Sequence, residues 1–337
     1  MAYDLEEQES IDQMKAWWDT WGTPVTAAVC VVCLGFAAWN GWHWYQRNQT
    51  ASAAGAYVQL QHAVANNDAK NIDGDKFTDI RNRILEAYAR GGVTTIGWHT
   101  TNPATGGTAW DVTAAVGRII PGGDLHEKYC GWLDKVAAFM LSLRTDAGEY
   151  VPVLFRPFHE HTGNGFWWGK GNCTAEEYIA LWRFTLEYLR DTKGVHNLLY
   201  VYSPDIVSSQ DNYLEFWPGD AYVDVLGLDA YDRSSWAIET NGLRLMRLLK
   251  HIAYLKNKPF AFTETGLENN TSQSKWWTEK LSKAIAGVPV AYVLVWRNKD
   301  TNHFFGPYPG CVSEEDFKTF VAGEQILLEK DIAGIYE

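Results

Sequence analysis

The sequence predicts an α/β protein, parallel strands wrapped by helices and curled as a barrel, preceded by a membrane-spanning helix. Three observations predict it. From about residue 71 short apolar runs alternate with amphipathic helical stretches, the pattern of a parallel sheet buried on both faces. His99, Glu160, Asp205, Asp229, Glu264 and Trp296 stand at the ends of those runs, as polar groups do on the active face of a parallel barrel. No glycine-rich phosphate turn follows the first run, which disfavours the alternative of an open, doubly wound sheet.

Taken in order, residues 22–45 carry no charged side chain, and twenty-odd such residues at helical rise can cross a bilayer. Trp17, Trp18 and Trp21 flank one end and Trp39, Trp42, Trp44 and Tyr45 the other, like the aromatic belts of a spanning helix. A cleaved signal peptide would need a basic start; here Asp4, Glu6, Glu7, Glu9 and Asp12 precede a single Lys15. Further on, Phe77, Ile80, Ile84 and Tyr88 line a helical face closed by Gly91 and Gly92, and residues 93–98 read as a strand. Tyr129, Trp132, Leu133, Val136, Met140 and Leu143 mark the next helix, followed by a strand at 151–155. Tyr178, Leu181, Trp182, Thr185 and Leu189 mark another helix before a strand at 198–202. Three more strands are expected at 223–229, 259–263 and 291–296. The division is an anchor and linker over 1–70 and a catalytic-type domain over 71–337.

The 337 residues suffice for a large core, and 46% hydrophobic against 21% charged residues exclude a disordered chain. A net charge of −12 makes nucleic acid a poor partner. Seventeen Trp, 17 Tyr and 14 Phe suit sugar rings or flat apolar ligands, though such residues also fill cores. Five scattered cysteines form no disulfide framework, and the pair Cys30 and Cys33 lies in the apolar stretch without a second pair to complete a metal site. No His/Glu metal spacing and no Gly-x-Ser-x-Gly elbow appears.

Two glutamates stand out. Glu160 and Glu264 each close a strand, and glycoside hydrolysis needs one carboxyl protonated for the leaving oxygen and a second ionised toward the anomeric carbon. Either could instead be a salt-bridged strand-end carboxylate. His99, His159, Trp167, Trp168, Tyr231 and Trp296 lie around them as sugar-compatible groups, and Gly163, Gly165, Gly169 and Gly171 fit a mobile loop as well as they fit a ligand contact.

The motifs WHTTNPATGG (98–107), RPFHEHTGNGFWWG (156–169), VYSPD (201–205), GLDAYD (227–232), FTETGLE (262–268) and YVLVWRNKDTNHFFGPYPG (292–310) resemble glycoside hydrolase family 26, chiefly bacterial endo-β-1,4-mannanases. The resemblance implies a (β/α)8 TIM-barrel type and retaining cleavage of β-mannan polysaccharide or manno-oligosaccharides, without metal or organic cofactor. It further implies Glu160 as acid/base, Glu264 as nucleophile, Tyr231 positioning the nucleophile, Trp296 as a sugar platform, and His99 and His159 as sugar contacts. Gly165 stands where many members carry a tryptophan, a platform Phe166 would then supply. Only six strands are legible, corresponding to the family's third to eighth, so the barrel reads as truncated, with an exposed interior that predicts poor stability or activity. The first 70 residues resemble the anchor of bacterial single-span inner-membrane proteins with periplasmic tetratricopeptide-like domains. That implies a lipid-bilayer partner and a periplasmic barrel. Rival expectations are cleavage of another β-linked glycan, a non-catalytic carbohydrate-binding or structural membrane protein, or a translocon-associated protein.

Overall fold

A computed structural model of the chain describes residues 75–328, together with Lys15 and Asp331. The chain divides into two units, Met1–Ser52 and Ala53–Glu337, and the fold described below belongs to the second. The expected span at 22–45 lies outside the described residues. Among those described, no helix is long and apolar enough to cross a membrane.

Helix α1 (Asp75–Ala89) buries Phe77, Ile80 and Ile84, spaced three and four apart on one face. Gly91 ends it in the left-handed conformation, φ 87°, and the amides of Gly91 and Gly92 return to the carbonyls of Tyr88 and Ala87. This is a glycine-closed helix end. Six strands follow: β1 (Thr94–Trp98), β2 (Val153–Pro157), β3 (Leu198–Tyr202), β4 (Val225–Asp229), β5 (Phe260–Thr265) and β6 (Val293–Val295). They form one sheet in chain order, every neighbouring pair parallel. Between them run α2 (Val116–Ile119), α3 (His126–Ser142), α4 (Ala175–Glu187), α5 (Gln210–Leu214), α6 (Leu243–Lys256) and α7 (Ser282–Ala284), with α8 (Glu314–Val321) after β6.

A doubly wound sheet reverses its strand order part-way; this one never does. The rings of His99, just past β1, and Trp296, just past β6, lie 6.4 Å apart, so the sheet curls until its outer strands meet at the mouth. That is barrel-type architecture.

Alternate residues explain the two cores. Val153, Phe155, Leu198, Tyr200, Tyr202, Leu226, Leu228, Phe260 and Phe262 pack in the large cluster with the helices. Leu154, Val201, Val225 and Ala261 form a small separate cluster against Tyr292, on the opposite, inner face that a period of two requires. Burying each large apolar side chain contributes about 1.5–3 kcal/mol.

Two strands depart from expectation. The strand expected at 151–155 is Val153–Pro157, because Val151 donates its amide to Leu143 and Pro152 has none to give. The last strand shrinks to Val293–Val295, where its register against β5 shifts between Phe262 and Thr265.

Candidate active site

The inner-face alternation that puts Leu154 and Val201 inside the sheet carries Arg156, Ser203 and Asp229 to the same side, at the C-terminal mouth. Glu264 has the wrong parity: counted from Phe260 and Phe262 it should face the helices. The pairing Leu228 with Phe262 is followed by Asp229 with Glu264, so Thr263 is an extra residue, a β-bulge. Such a bulge re-aims the following side chain, and here it turns Glu264 toward Arg156.

Arg156, 1% exposed, holds the cluster together. Its guanidinium donates to Glu264 Oε1 at 2.7 Å, to Asp229 and to the Ser203 hydroxyl at 3.1 Å. Burial works against its charge, but Asp229 and Glu264 more than offset it, leaving the guanidinium pKa raised. Thr263, the bulged residue, donates to Asp229 Oδ1 at 2.6 Å. The Tyr231 hydroxyl donates to Glu264 Oε2 at 2.6 Å; burial, then Glu264, keep that phenol protonated. Both oxygens of Glu264 are thereby fixed.

Glu160 lies beyond β2, not on it. Phe158 and Glu160 both adopt the left-handed backbone, φ 52° each, sparsely populated for residues with a side chain. Every carbonyl of this turn is engaged. Phe158 accepts from the Tyr178 hydroxyl at 2.9 Å, and His159 from Trp168 Nε1 at 2.8 Å. Glu160 accepts from the Gly163 amide and His161 from that of Lys170. The Glu160 amide donates to Ser203 at 2.8 Å, extending the sheet's ladder past the strand end. Burial first, then the carboxylates of Glu264 and Asp205, push the Glu160 carboxyl up to about 7, against the pull of Arg156 and Arg233. Asp205 accepts from the Thr162 hydroxyl, and burial lifts it to about 6.

One carboxylate oxygen each from Glu160, Asp229 and Glu264 lie within 4.8 Å of one another. By distance the three could share a cation; the positive charge among them is already that of Arg156. The separation of Glu160 and Glu264 is the short kind, near the ~5–5.5 Å of a double displacement rather than the ~6.5–9.5 Å that admits a water between.

Around the pair, His99 and His159 face each other, Nε2 to Nε2 at 3.1 Å. Burial, reinforced by Arg156 and Arg297, lowers His99 to about 3, and burial lowers His159 as well. Both rings are neutral, one donating to the other. Phe166 stacks on Trp168 at 4.6 Å and 6° and meets His159 at 5.2 Å. Trp296 is half-buried at the mouth, opposite His99.

Trp167 and Trp168 are not sugar faces in this structure. Both are 0% exposed, and their indoles donate to the carbonyls of Thr100 and His159; they form the floor under Phe166 and His159. Of the glycines after Glu160, two are packed: a Cβ on Gly169 would sit 2.3 Å from the Gly163 carbonyl and one on Gly163 2.9 Å from Asp205 Oδ2, whereas one on Gly165 or Gly171 would meet nothing within 4 Å. Cys130, Cys173 and Cys311 are unpaired. Nothing in the spacing singles out Arg156, whose place needs the strand register. Nor does it single out Trp110, 61% exposed and 5.7 Å from the His99 ring. Trp110 stands on a loop clamped by Asn102, whose amide donates at 2.7 Å to the carbonyls of both Asp111 and Thr113.

A curled parallel sheet with two glutamates a few ångströms apart, Glu160 raised to about 7 by burial and Glu264 held by Arg156 and Tyr231, walled by aromatic rings, is the arrangement that glycoside hydrolysis requires. Comparison with known proteins agrees. Residues 39–300 match Glycosyl hydrolase family 26. The chain is 34% identical over 270 residues to a mannan endo-1,4-beta-mannosidase of Bifidobacterium adolescentis, covering 74% of this chain and 27% of that protein. It is 34% identical to one of Bacillus subtilis, covering 59% and 54%. A GH26 beta-mannanase structure from Bacteroides ovatus superposes with a TM-score of 0.76 at 43% identity, covering 82% of this chain and 81% of that one. The chain belongs to Glycosyl hydrolase family 26. It spans between about a quarter and a half of the length of these two curated relatives. The family match starts at residue 39, well before residue 71, and so takes in the end of the stretch expected as an anchor.

Proposed function

We propose that the protein is a retaining, endo-acting hydrolase of β-1,4-mannosidic bonds in mannan, galactomannan or glucomannan. The observation that carries the reading is the close approach of Glu160 and Glu264, one oxygen of each within 4.8 Å, with Glu160 raised to about 7. In the first step Glu264 attacks the anomeric carbon while the Glu160 proton passes to the departing glycosidic oxygen. That bond breaks and a glycosyl ester on Glu264 forms. Arg156 and Tyr231 aim the nucleophile, since each fixes one of its oxygens. With the ester formed, Glu264 carries no charge to hold the Glu160 pKa up. Glu160, now ionised, takes a proton from water as that water attacks the same carbon and releases Glu264. His99, Trp110 and Trp296 offer the sugar contacts, with the buried His159 and Phe166 packed behind His99.

The test is reducing-end release from galactomannan by the full chain and its Glu264→Gln variant, with the anomer of the nascent product followed by NMR. Release lost in the variant, with the β-anomer appearing first, supports the reading. An active variant or α-anomer would overturn it. A second reading, cleavage of a glucan, is favoured by 27% identity over 183 residues to Endoglucanase H of Acetivibrio thermocellus; comparing kcat/KM on mannan and mixed-linkage glucan separates the two.

The uncharged stretch at residues 22–45 supports a further proposal, that it anchors the chain in an inner membrane with the barrel on the periplasmic side. Release of the full chain from membranes by alkaline carbonate would refute it.

A further inference from the structure

The histidine after the acid, His161, is 0% exposed and touches no sugar-facing surface. It lies between two phenols. Its Nδ1 is 3.0 Å from the Tyr178 hydroxyl and its Nε2 is 2.8 Å from the Tyr202 hydroxyl. Tyr178 has one proton, and at 2.9 Å from the Phe158 carbonyl that proton goes there, because a carbonyl can only accept. The Tyr178 oxygen must therefore accept from His161 Nδ1–H. Burial keeps the imidazole neutral, lowering it to about 3, so Nε2 carries a lone pair facing the Tyr202 hydroxyl, whose one proton is shared between that nitrogen and the Tyr213 carbonyl at 3.0 Å. A strand (β3), a helix (α4) and the turn of Glu160 are thus joined by one chain of buried hydrogen bonds. It ends on Phe158, one of the two left-handed residues flanking His159.

We infer that Tyr178 and His161 are positioning residues for Glu160: a buried hydrogen-bonded brace holds the left-handed turn and, through it, places the acid's carboxyl at the leaving oxygen. This rests on the reading of Glu160 as the general acid. Tyr178→Phe removes one oxygen from the brace while keeping the buried ring. His161→Gln can still donate at one end and accept at the other; His161→Leu can do neither.

The measurement is kcat/KM for each full-length variant on a manno-oligosaccharide and on an aryl mannoside with a highly acidic leaving group. Rates are normalised to sites titrated by a fluoroglycoside that traps the nucleophile. A misplaced acid slows only the substrate that needs protonation. Tyr178→Phe and His161→Leu should lose about a hundredfold on the oligosaccharide, as for an ångström-scale misplacement, and about threefold or less on the activated mannoside, which draws little on general-acid assistance. His161→Gln should recover most of the difference. Equal losses on both substrates, or none, would overturn the brace, since a merely structural role lowers the titrated sites and leaves this ratio unmoved. A wild-type chain that cleaves neither substrate would overturn the hydrolase reading instead, and the acid placement with it.

Discussion

At the scale of single residues, the site sets two carboxyls against each other. In the proposed double displacement Glu160 enters as the protonated acid, and with Glu160 raised to about 7 kcat/KM on manno-oligosaccharides should fall as pH rises through about 7. Asp205→Asn removes one of the charges that lift Glu160, so it should move that alkaline limb to lower pH. Stability carries the opposite signature from an ion-paired acid. The unfolded carboxyl ionises near about 4.3. Between there and about 7 the folded chain holds the extra proton, and stability falls with rising pH. Glu160→Gln should therefore match wild type in thermal unfolding at about pH 4 and exceed it by about 1–2 kcal/mol at about pH 8. A variant no more stable at the higher pH would contradict the buried-charge account.

Elements decide which side chains can meet. Without the bulge at Thr263, Glu264 would share the helix-facing side of β5 with Phe260 and Phe262. The strand there depends on Gly227 in β4: a Cβ at that position would meet the Thr263 side chain at 2.5 Å and Ser203 Cβ at 2.9 Å. Gly227→Ala should destabilise the fold by about 1–3 kcal/mol and also lower kcat, because Thr263 and Ser203 are the partners of Asp229 and Arg156. Thr174 gives the contrasting case. It caps α4 in a reciprocal box with Glu177, so Thr174→Ala should cost about 1 kcal/mol and leave kcat unchanged for the folded fraction. Apolar periodicity made the six strands and their helices legible, and strand-end placement made Glu160, Glu264, His99 and Trp296 legible. It could not show the bulge, because one inserted residue leaves no mark in composition. Nor could it part Phe166 from Trp167 and Trp168: three consecutive aromatics look alike until packing chooses which ones form the floor.

For the molecule as a whole, the net charge of −12 does no work on a neutral polysaccharide. Raising ionic strength well beyond physiological should change kcat/KM on mannan by less than about twofold, and a steep dependence would point to a charged substrate. The described fold keeps its polar machinery at one end and its apolar clusters along the sheet and helices, so most substitutions would affect stability or chemistry but not both. Gly227 is one exception and Glu160 another. At φ 52° glycine would sit there without steric penalty, and it would also remove a carboxylate that resists burial. A library of this chain sorted only for surviving heat would therefore discard Glu160 early and enrich glycine in its place. Sorted for sugar release, it would keep the glutamate every time. The two selections would disagree most sharply at this one codon, which makes competitive sequencing of such a library a way to find acids of this kind without knowing the substrate.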